Sequence, residues 1–264
     1  MILNFLLSHP KIDFYDLIMI KGFTETANPV WPGENCATVF LPYCNLRCPY
    51  CDAHQLVLNP GELKTVDLED VLTTLQSKKD HIDGVCISGG EPMIHRDLPD
   101  ILDAVQAIGF ETKLETNGTQ PEILEYLLAN DRVNSVAMDM KAPLDDAIYE
   151  RCAGVPVPVQ IIQGSLAVLA RADAAVWLRC TVCPSLLGRD DVCQMAEDVK
   201  RLWHRVTDGS LPPPPLTLQN FRPDDPMAPS LRKVKPFSEK ELARMQTMVD
   251  TRLGHGRNGV SSGK

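Results

Sequence analysis

From about residue 37 onward, short apolar runs alternate with segments of helical period, and this alternation restricts the chain to few architectures. The runs are Ala37 to Leu41, Gly84 to Ser88, Glu111 to Glu115, Ser135 to Met140, Ala175 to Val182 and Leu216 to Asn220. Each is short and largely continuous in apolar character, as expected of strands buried on both faces of a parallel sheet. Between them the helical candidates are Asp67 to Lys79, Leu98 to Ile108, Pro121 to Asn130, Asp145 to Cys152, Val159 to Arg171 and Asp190 to Val206, with Glu239 to Leu253 closing the series. Asp67, Asp97 and Asp190 stand where capping residues are wanted, and Gly109 where a left-handed stop is wanted. A β-α-β-α succession predicts one parallel sheet with right-handed crossovers. Six such strands would close only part of a barrel.

Length and composition agree. The 264 residues are 44% hydrophobic and 23% charged, which excludes disorder and a small disulfide scaffold. The length suits either two domains or a single α/β barrel. The formal net charge of −9 makes nucleic acid a poor partner. No apolar stretch reaches the roughly 18 residues a spanning helix requires, so no membrane association is expected. Met19 opens Met19-Ile20-Lys21-Gly22-Phe23 as a natural start, which makes residues 1–18 an N-terminal extension and 254–264 a disordered tail. Residues 19–253 then form the folded domain. The run Pro212 to Pro215 reads as an exposed, stiff linker.

Nine cysteines, an odd number unevenly spaced, suit thiols or metal ligands better than disulfides. Cys44-Asn45-Leu46-Arg47-Cys48-Pro49-Tyr50-Cys51 is a C-x3-C-x2-C array following the first run. Three thiols this close converge if the backbone loops about a common centre. Iron and zinc both accept thiolates, and both usually take four protein ligands in closed sites. Three thiolates leave a position open for a substrate or cofactor. A zinc site completed by His54 or Cys36 is the bland alternative.

The triplet with an aromatic residue before its last Cys resembles the signature of the radical S-adenosylmethionine (SAM) enzymes. So does Ser88-Gly89-Gly90-Glu91-Pro92, about 40 residues on and at the same end of the expected sheet; taken alone, that string would be only a tight turn. The resemblance implies a partial (β/α)6 barrel, a radical SAM domain and a 4Fe-4S cluster. Cys44, Cys48 and Cys51 would hold three irons, and S-adenosylmethionine would chelate the fourth. It implies that Gly89, Gly90 and Glu91 belong to the segment that meets the methionine amino group, with Tyr50 beside the adenine. Glu115 and Thr116, at one strand end, and Asp139 and Lys141, at the next, would border the cofactor. Arg179 would pair with its carboxylate in a fork.

The resemblance is nearest to the activating proteins of anaerobic ribonucleoside-triphosphate reductases. It covers most of residues 20 to 223, through Gly22-Phe23, Trp31-Pro32-Gly33, the cysteine loop, the G-G-E-P turn, Val136 to Pro143 and Leu218 to Pro223. It implies an oxidoreductase that abstracts hydrogen from a backbone glycine of a glycyl-radical enzyme. A flavodoxin or ferredoxin-type donor would supply the electron in a reducing cytoplasm. No general base is expected. Two departures, Asp52 where many activators have His and Glu115 where Asp is usual, resemble the 7-carboxy-7-deazaguanine synthases, which rearrange a small pterin. A non-catalytic iron-sulfur or zinc scaffold is the third reading. Cys180, Cys183 and Cys193 could form an auxiliary site, while Cys36, Cys86 and Cys152 read as core. His54, His81, His95 and His204 read as surface or packing residues.

Overall fold

The computed structural model describes residues 19–25 and 34–255. The expected extension (1–18), the Trp31-Pro32-Gly33 segment and all but the first two residues of the expected tail lie outside these. Among the described residues, seven strands form one sheet in sequence order, β1 (Gly22–Thr24), β2 (Cys36–Leu41), β3 (Gly84–Gly89), β4 (Glu111–Thr116), β5 (Ser135–Asp139), β6 (Ala175–Val182) and β7 (Leu216–Asn220). β2 to β7 are the six parallel strands that the sequence predicts. β1 is an addition. It pairs antiparallel with β2, Phe23 opposite Val39, and at three residues it is too short to show a period.

The helices are α1 (His54–Leu58), α2 (Leu68–Ser77), α3 (Leu98–Ala107), α4 (Pro121–Ala129), α5 (Asp146–Ala153), α6 (Val159–Leu169), α7 (Arg189–Val206) and α8 (Glu239–Leu253). Asp67 caps α2 by accepting from the Glu69 N–H at 2.7 Å. Two of the expected caps differ. Asp97 has near-helical backbone angles, φ −85° and ψ −1°, and its side chain makes no capping bond. α7 begins one residue earlier than expected, and Asp191 rather than Asp190 accepts from the Gly188 N–H, at 2.7 Å. Gly109 takes the left-handed conformation that the sequence asks of it, φ +86°.

Strand alternation builds two different surfaces. Ala37, Val39 and Leu41 of β2, Val85 and Ile87 of β3, Leu114 of β4 and Val136 and Met138 of β5 join the main hydrophobic core with the helices. Burial of such side chains contributes on the order of 2 kcal/mol each, which fixes the register, since a one-residue slip would turn the set over. The alternate residues face the concave side. Low in the barrel these are Cys36, Cys86, Ala137 and Trp177, with the buried Lys113 paired to Glu34 at 2.5 Å. Higher, at the carboxyl ends, they are Phe40, Ser88, Glu115, Asp139, Arg179 and Gln219.

The sheet does not close. The free edge of β7 is occupied instead by a side chain of α8: the Leu218 N–H donates to Gln246 Oε1 at 2.8 Å, and Gln246 Nε2 donates to the Leu216 carbonyl at 2.8 Å. An edge covered this way offers no template for further pairing. The Pro212–Pro215 run is not the exposed linker expected: Pro213 and Pro214 are buried, and the Pro215 carbonyl accepts from the Leu178 N–H at 2.8 Å. A proline needs no N–H partner, so it can lead into an edge strand.

Candidate functional site

A cavity of about 600 Å³ opens at the carboxyl ends of the parallel strands, where α/β barrels build their sites. Cys44, Cys48 and Cys51 line one side, Gly89, Gly90 and Thr116 another, and Glu115, Asp139, Lys141 and Arg179 its floor. Tyr50 also reaches the wall. The structure thus brings together eleven of the twelve side chains and glycines singled out in the sequence, from β2, β3, β4, β5 and β6 and the loops after them.

The cysteine loop leaves β2 through Tyr43, a non-glycine residue at φ +60°. The G-G turn after β3 presses against it. Gly90 N–H donates to the Leu41 carbonyl at 2.9 Å and Glu91 N–H to the Tyr43 carbonyl at 2.8 Å. A Cβ on Gly90 would lie 1.6 Å from the Tyr43 oxygen, and one on Gly89, at φ +118°, 2.2 Å from that of Leu41. Two glycines are required because two backbones touch here.

Glu91 is the exception among the expected residues, for its carboxylate turns away from the cavity. Fully buried, it accepts from Thr116 Oγ1 at 2.8 Å, from the Asn117 N–H at 2.7 Å and from the Met93 N–H at 3.1 Å. Burial pushes its pKa up to about 7, against the pull of these three donors. It braces the turn after β4. From that turn Asn117 Nδ2 points to Cys44 Sγ at 3.6 Å and to Asn45 Oδ1 at 2.9 Å.

On the floor, charges are paired in a row. Ser88 Oγ donates to Glu115 Oε2 at 2.8 Å, Arg179 bridges Glu115 Oε1 at 3.0 Å and Asp139 Oδ1 at 2.9 Å, and Lys141 Nζ reaches Asp139 Oδ2 at 3.3 Å. Burial alone would raise the Asp139 pKa, but Lys141 and Arg179 outweigh it and hold the group below its usual range. The same ion pairs overcome burial at Lys141 and Arg179 and raise both. The guanidinium expected to fork onto a cofactor carboxylate therefore already holds two carboxylates of the protein.

Burial raises the pKa of all three loop thiols, that of Cys51 to about 11, while Lys141 opposes the rise. Among the described residues, no three His, Cys, Asp or Glu side chains converge where one metal ion would sit. The donor set suits a cluster, in which each thiolate takes a different iron and no other side chain is needed. Glycine backbone beside the thiols leaves room for a ligand to approach them. The chain's residues fit the group that the triplet implies.

The other cysteines are all buried. Cys180 lies in the core beneath the helices, and burial raises its thiol far above the usual range. His54 is bonded to Asp225 at 3.0 Å and His95 to the Pro42 carbonyl at 2.6 Å. Asn117, Ser88, Thr181 and Gln219 are cavity residues that motif reading did not select. Thr181 could have been found by counting in twos along β6 from Arg179, and Gln219 by alternation, as the next residue after the outward-facing Leu218.

Comparison with known proteins agrees with this geometry. The chain is 26% identical over 231 residues, 86% of its length and 90% of the relative's, to a protein of Methanocaldococcus jannaschii whose name assigns it provisionally to the glycyl-radical enzyme activating enzymes. It is 41% identical to a 7-carboxy-7-deazaguanine synthase of Halobacterium salinarum, but over only 76 residues, 29% of each chain. Among solved structures, it superposes on TYW1 with a lysine-pyruvate adduct at a TM-score of 0.59, covering 83% of this chain and 75% of that one at 15% identity. It superposes equally, at a TM-score of 0.59 and 16% identity, on Streptococcus suis SuiB bound to S-adenosylmethionine, over 83% of this chain and 49% of SuiB. The radical SAM superfamily pattern matches residues 38–198, which contain the cysteine loop and five of the six parallel strands almost whole. The chain belongs to the radical SAM superfamily, whose enzymes use a 4Fe-4S cluster and S-adenosylmethionine.

Proposed function

We propose that this radical SAM enzyme activates a glycyl-radical enzyme, an anaerobic ribonucleoside-triphosphate reductase, by removing one hydrogen atom from a backbone glycine. The observation that carries this reading is the extent of the similarity to the M. jannaschii protein, which spans 86% of the chain, well beyond the cofactor-binding strands. Residues 19–253 would be the catalytic unit. A flavodoxin or ferredoxin-type protein would donate the electron. A reducing cytoplasm suits the buried free thiols, and no helix among the described residues is long and apolar enough to cross a membrane.

Cluster and S-adenosylmethionine together supply, when bound, a 5′-deoxyadenosyl radical. The chain's residues bind and orient. Cys44, Cys48 and Cys51 would present three thiolates and leave one iron to the amino and carboxylate groups of S-adenosylmethionine. Gly89 and Gly90 would offer backbone to the methionine amino group, with Glu91 bracing the turn after β4 that faces them. Glu115, Thr116, Asp139, Lys141 and Arg179 would form the polar floor under the cofactor, their charges already neutralised among themselves. Tyr50 would lie beside the adenine. No side chain has to accept a proton, since a hydrogen atom is transferred.

The second reading, a deazaguanine synthase acting on a pterin, is favoured by the higher identity of the 76-residue match and by Asp52 and Glu115. Incubating the reconstituted, reduced enzyme with S-adenosylmethionine and either the reductase or carboxytetrahydropterin separates the two. A glycyl-radical doublet in electron paramagnetic resonance supports activation; deazaguanine formation without a radical refutes it.

A further inference from the structure

The eight residues from Cys44 to Cys51 hold little order of their own. One backbone hydrogen bond closes within them, Cys51 N–H to the Cys48 carbonyl at 3.0 Å, and Arg47 Nη1 ties the Cys44 and Leu46 carbonyls at 2.7 Å each. Besides the turn after β4, which holds Asn45 through Asn117 and Thr119, two segments far along the chain grip the loop from either side.

The first is the end of α5. The Arg47 N–H donates to the Ala153 carbonyl at 2.8 Å, and the helix then stops at Gly154, φ +72°. A Cβ there would lie 2.0 Å from the Arg47 oxygen and 2.6 Å from its carbonyl carbon. Both atoms are backbone, so they cannot swing aside as a flexible side chain would. The second is the stretch after β7. The Met227 N–H donates to the Cys51 carbonyl at 2.9 Å and the Ala228 N–H to that of Pro49 at 2.8 Å. Asp225 anchors this strap, bonding His54 at 3.0 Å on the loop side and Arg232 at 2.7 Å on its own.

We propose that Gly154 and the Asp225–Ala228 strap are positioning residues for the cluster, holding the cysteine loop in its ligand-presenting shape before any iron arrives. A loop left to itself would have to be ordered by cluster assembly, and the entropy of ordering would weaken cluster binding. With the loop clamped at Arg47, Pro49 and Cys51, most of that cost is met when the chain folds. This does not depend on which substrate the enzyme activates.

The test compares Gly154→Ala and Asp225→Ala with the wild type and with Gly61→Ala, whose added Cβ would meet nothing within 4 Å. Iron and sulfide per chain are measured after reconstitution, with the rate of cluster bleaching in air. The paramagnetic resonance spectrum of the reduced cluster is recorded with and without S-adenosylmethionine, and thermal unfolding is followed for the iron-free proteins. We expect Gly154→Ala to lose iron several-fold and Asp225→Ala to bleach several-fold faster, each with altered spectra, while Gly61→Ala matches the wild type. A merely structural role would lower iron-free unfolding temperatures and leave the spectra of the remaining cluster unchanged, and that pattern overturns the proposal. Should Gly154→Ala fail to fold, Asp225→Ala, at an exposed position, decides alone. Wild-type iron content, bleaching rate and spectra in that variant would overturn the proposal.

Discussion

Arg179 and Asp139 are register partners on adjacent parallel strands, and the Arg179 Nε–H donates to Asp139 Oδ1 at 2.9 Å across the cavity floor. The same guanidinium also reaches Glu115, at 3.0 Å. Strand pairing therefore sets the electrostatics of the site before any ligand enters: it places Asp139 beside Arg179, and the guanidinium reaches back to Glu115, whose own register partner is Ala137. Arg179→Ala leaves two partly buried carboxylates facing each other without their shared cation. It should destabilise the iron-free protein by roughly 3 kcal/mol, the scale for removing one partner of a buried ion pair. Denaturant unfolding measures this, and a change within about 0.5 kcal/mol would show the pair to be solvated and weak.

Glu91 makes stability depend on pH in a defined direction. Its folded pKa, about 7, lies above the ordinary value of 4.5, so the folded protein binds this proton more tightly than the unfolded chain does. The contribution is complete below pH 4.5 and is lost as pH rises through 7. Glu91→Gln does not titrate. The difference in unfolding free energy between the two proteins should change by on the order of 3 kcal/mol across that window. Urea unfolding at a series of pH values checks this; parallel curves would contradict it.

The loop thiols predict how the metal enters. Burial holds Cys51 up to about 11 and raises Cys44 and Cys48, so the iron-free loop is protonated near neutrality. Thiolate is the form that binds iron, so cluster assembly has to release these protons. The initial rate of iron incorporation should climb several-fold between pH 7 and 9, and alkylation of the iron-free triplet by iodoacetamide should be slow at pH 7. A rate independent of pH would argue that the thiols are already ionised.

Much of this was legible in the sequence, because the residues involved obey local rules. Six strands and the helices α2 to α8 follow from apolar runs and helical period, whereas the five-residue α1 does not, and Asp67 and Gly109 follow from cap and stop chemistry. β1 escaped because three residues such as Gly22-Phe23-Thr24 carry no period. The buried prolines before β7 escaped because composition does not say what packs on a stiff segment. At the site, the three cysteines and the glycine pair announce themselves by spacing. Glu91 does not reveal that it faces Thr116 and Asn117 instead of the cavity, and nothing beside Gly154 in the sequence points to Arg47. Both roles come from contacts between segments distant in sequence, where one chain offers no pattern.

The G-G turn gives a sharper contrast. Gly90→Ala places a Cβ 1.6 Å from the Tyr43 oxygen, which forces the two backbones apart. It should destabilise the fold by about 2–3 kcal/mol, whereas Gly61→Ala should stay within about 0.5 kcal/mol of the wild type. Thermal unfolding of the iron-free proteins distinguishes them, and equal unfolding temperatures would contradict the close packing of the turn on the cysteine loop.

Isotope transfer tests the central claim most directly. The partner reductase, prepared with fully deuterated glycine, is incubated with reduced enzyme and S-adenosylmethionine, and the 5′-deoxyadenosine formed is weighed by mass spectrometry. Abstraction from a backbone glycine predicts one deuterium per molecule of 5′-deoxyadenosine, appearing together with the glycyl radical. Cleavage of S-adenosylmethionine that leaves the 5′-deoxyadenosine free of deuterium and the reductase without a radical would contradict it.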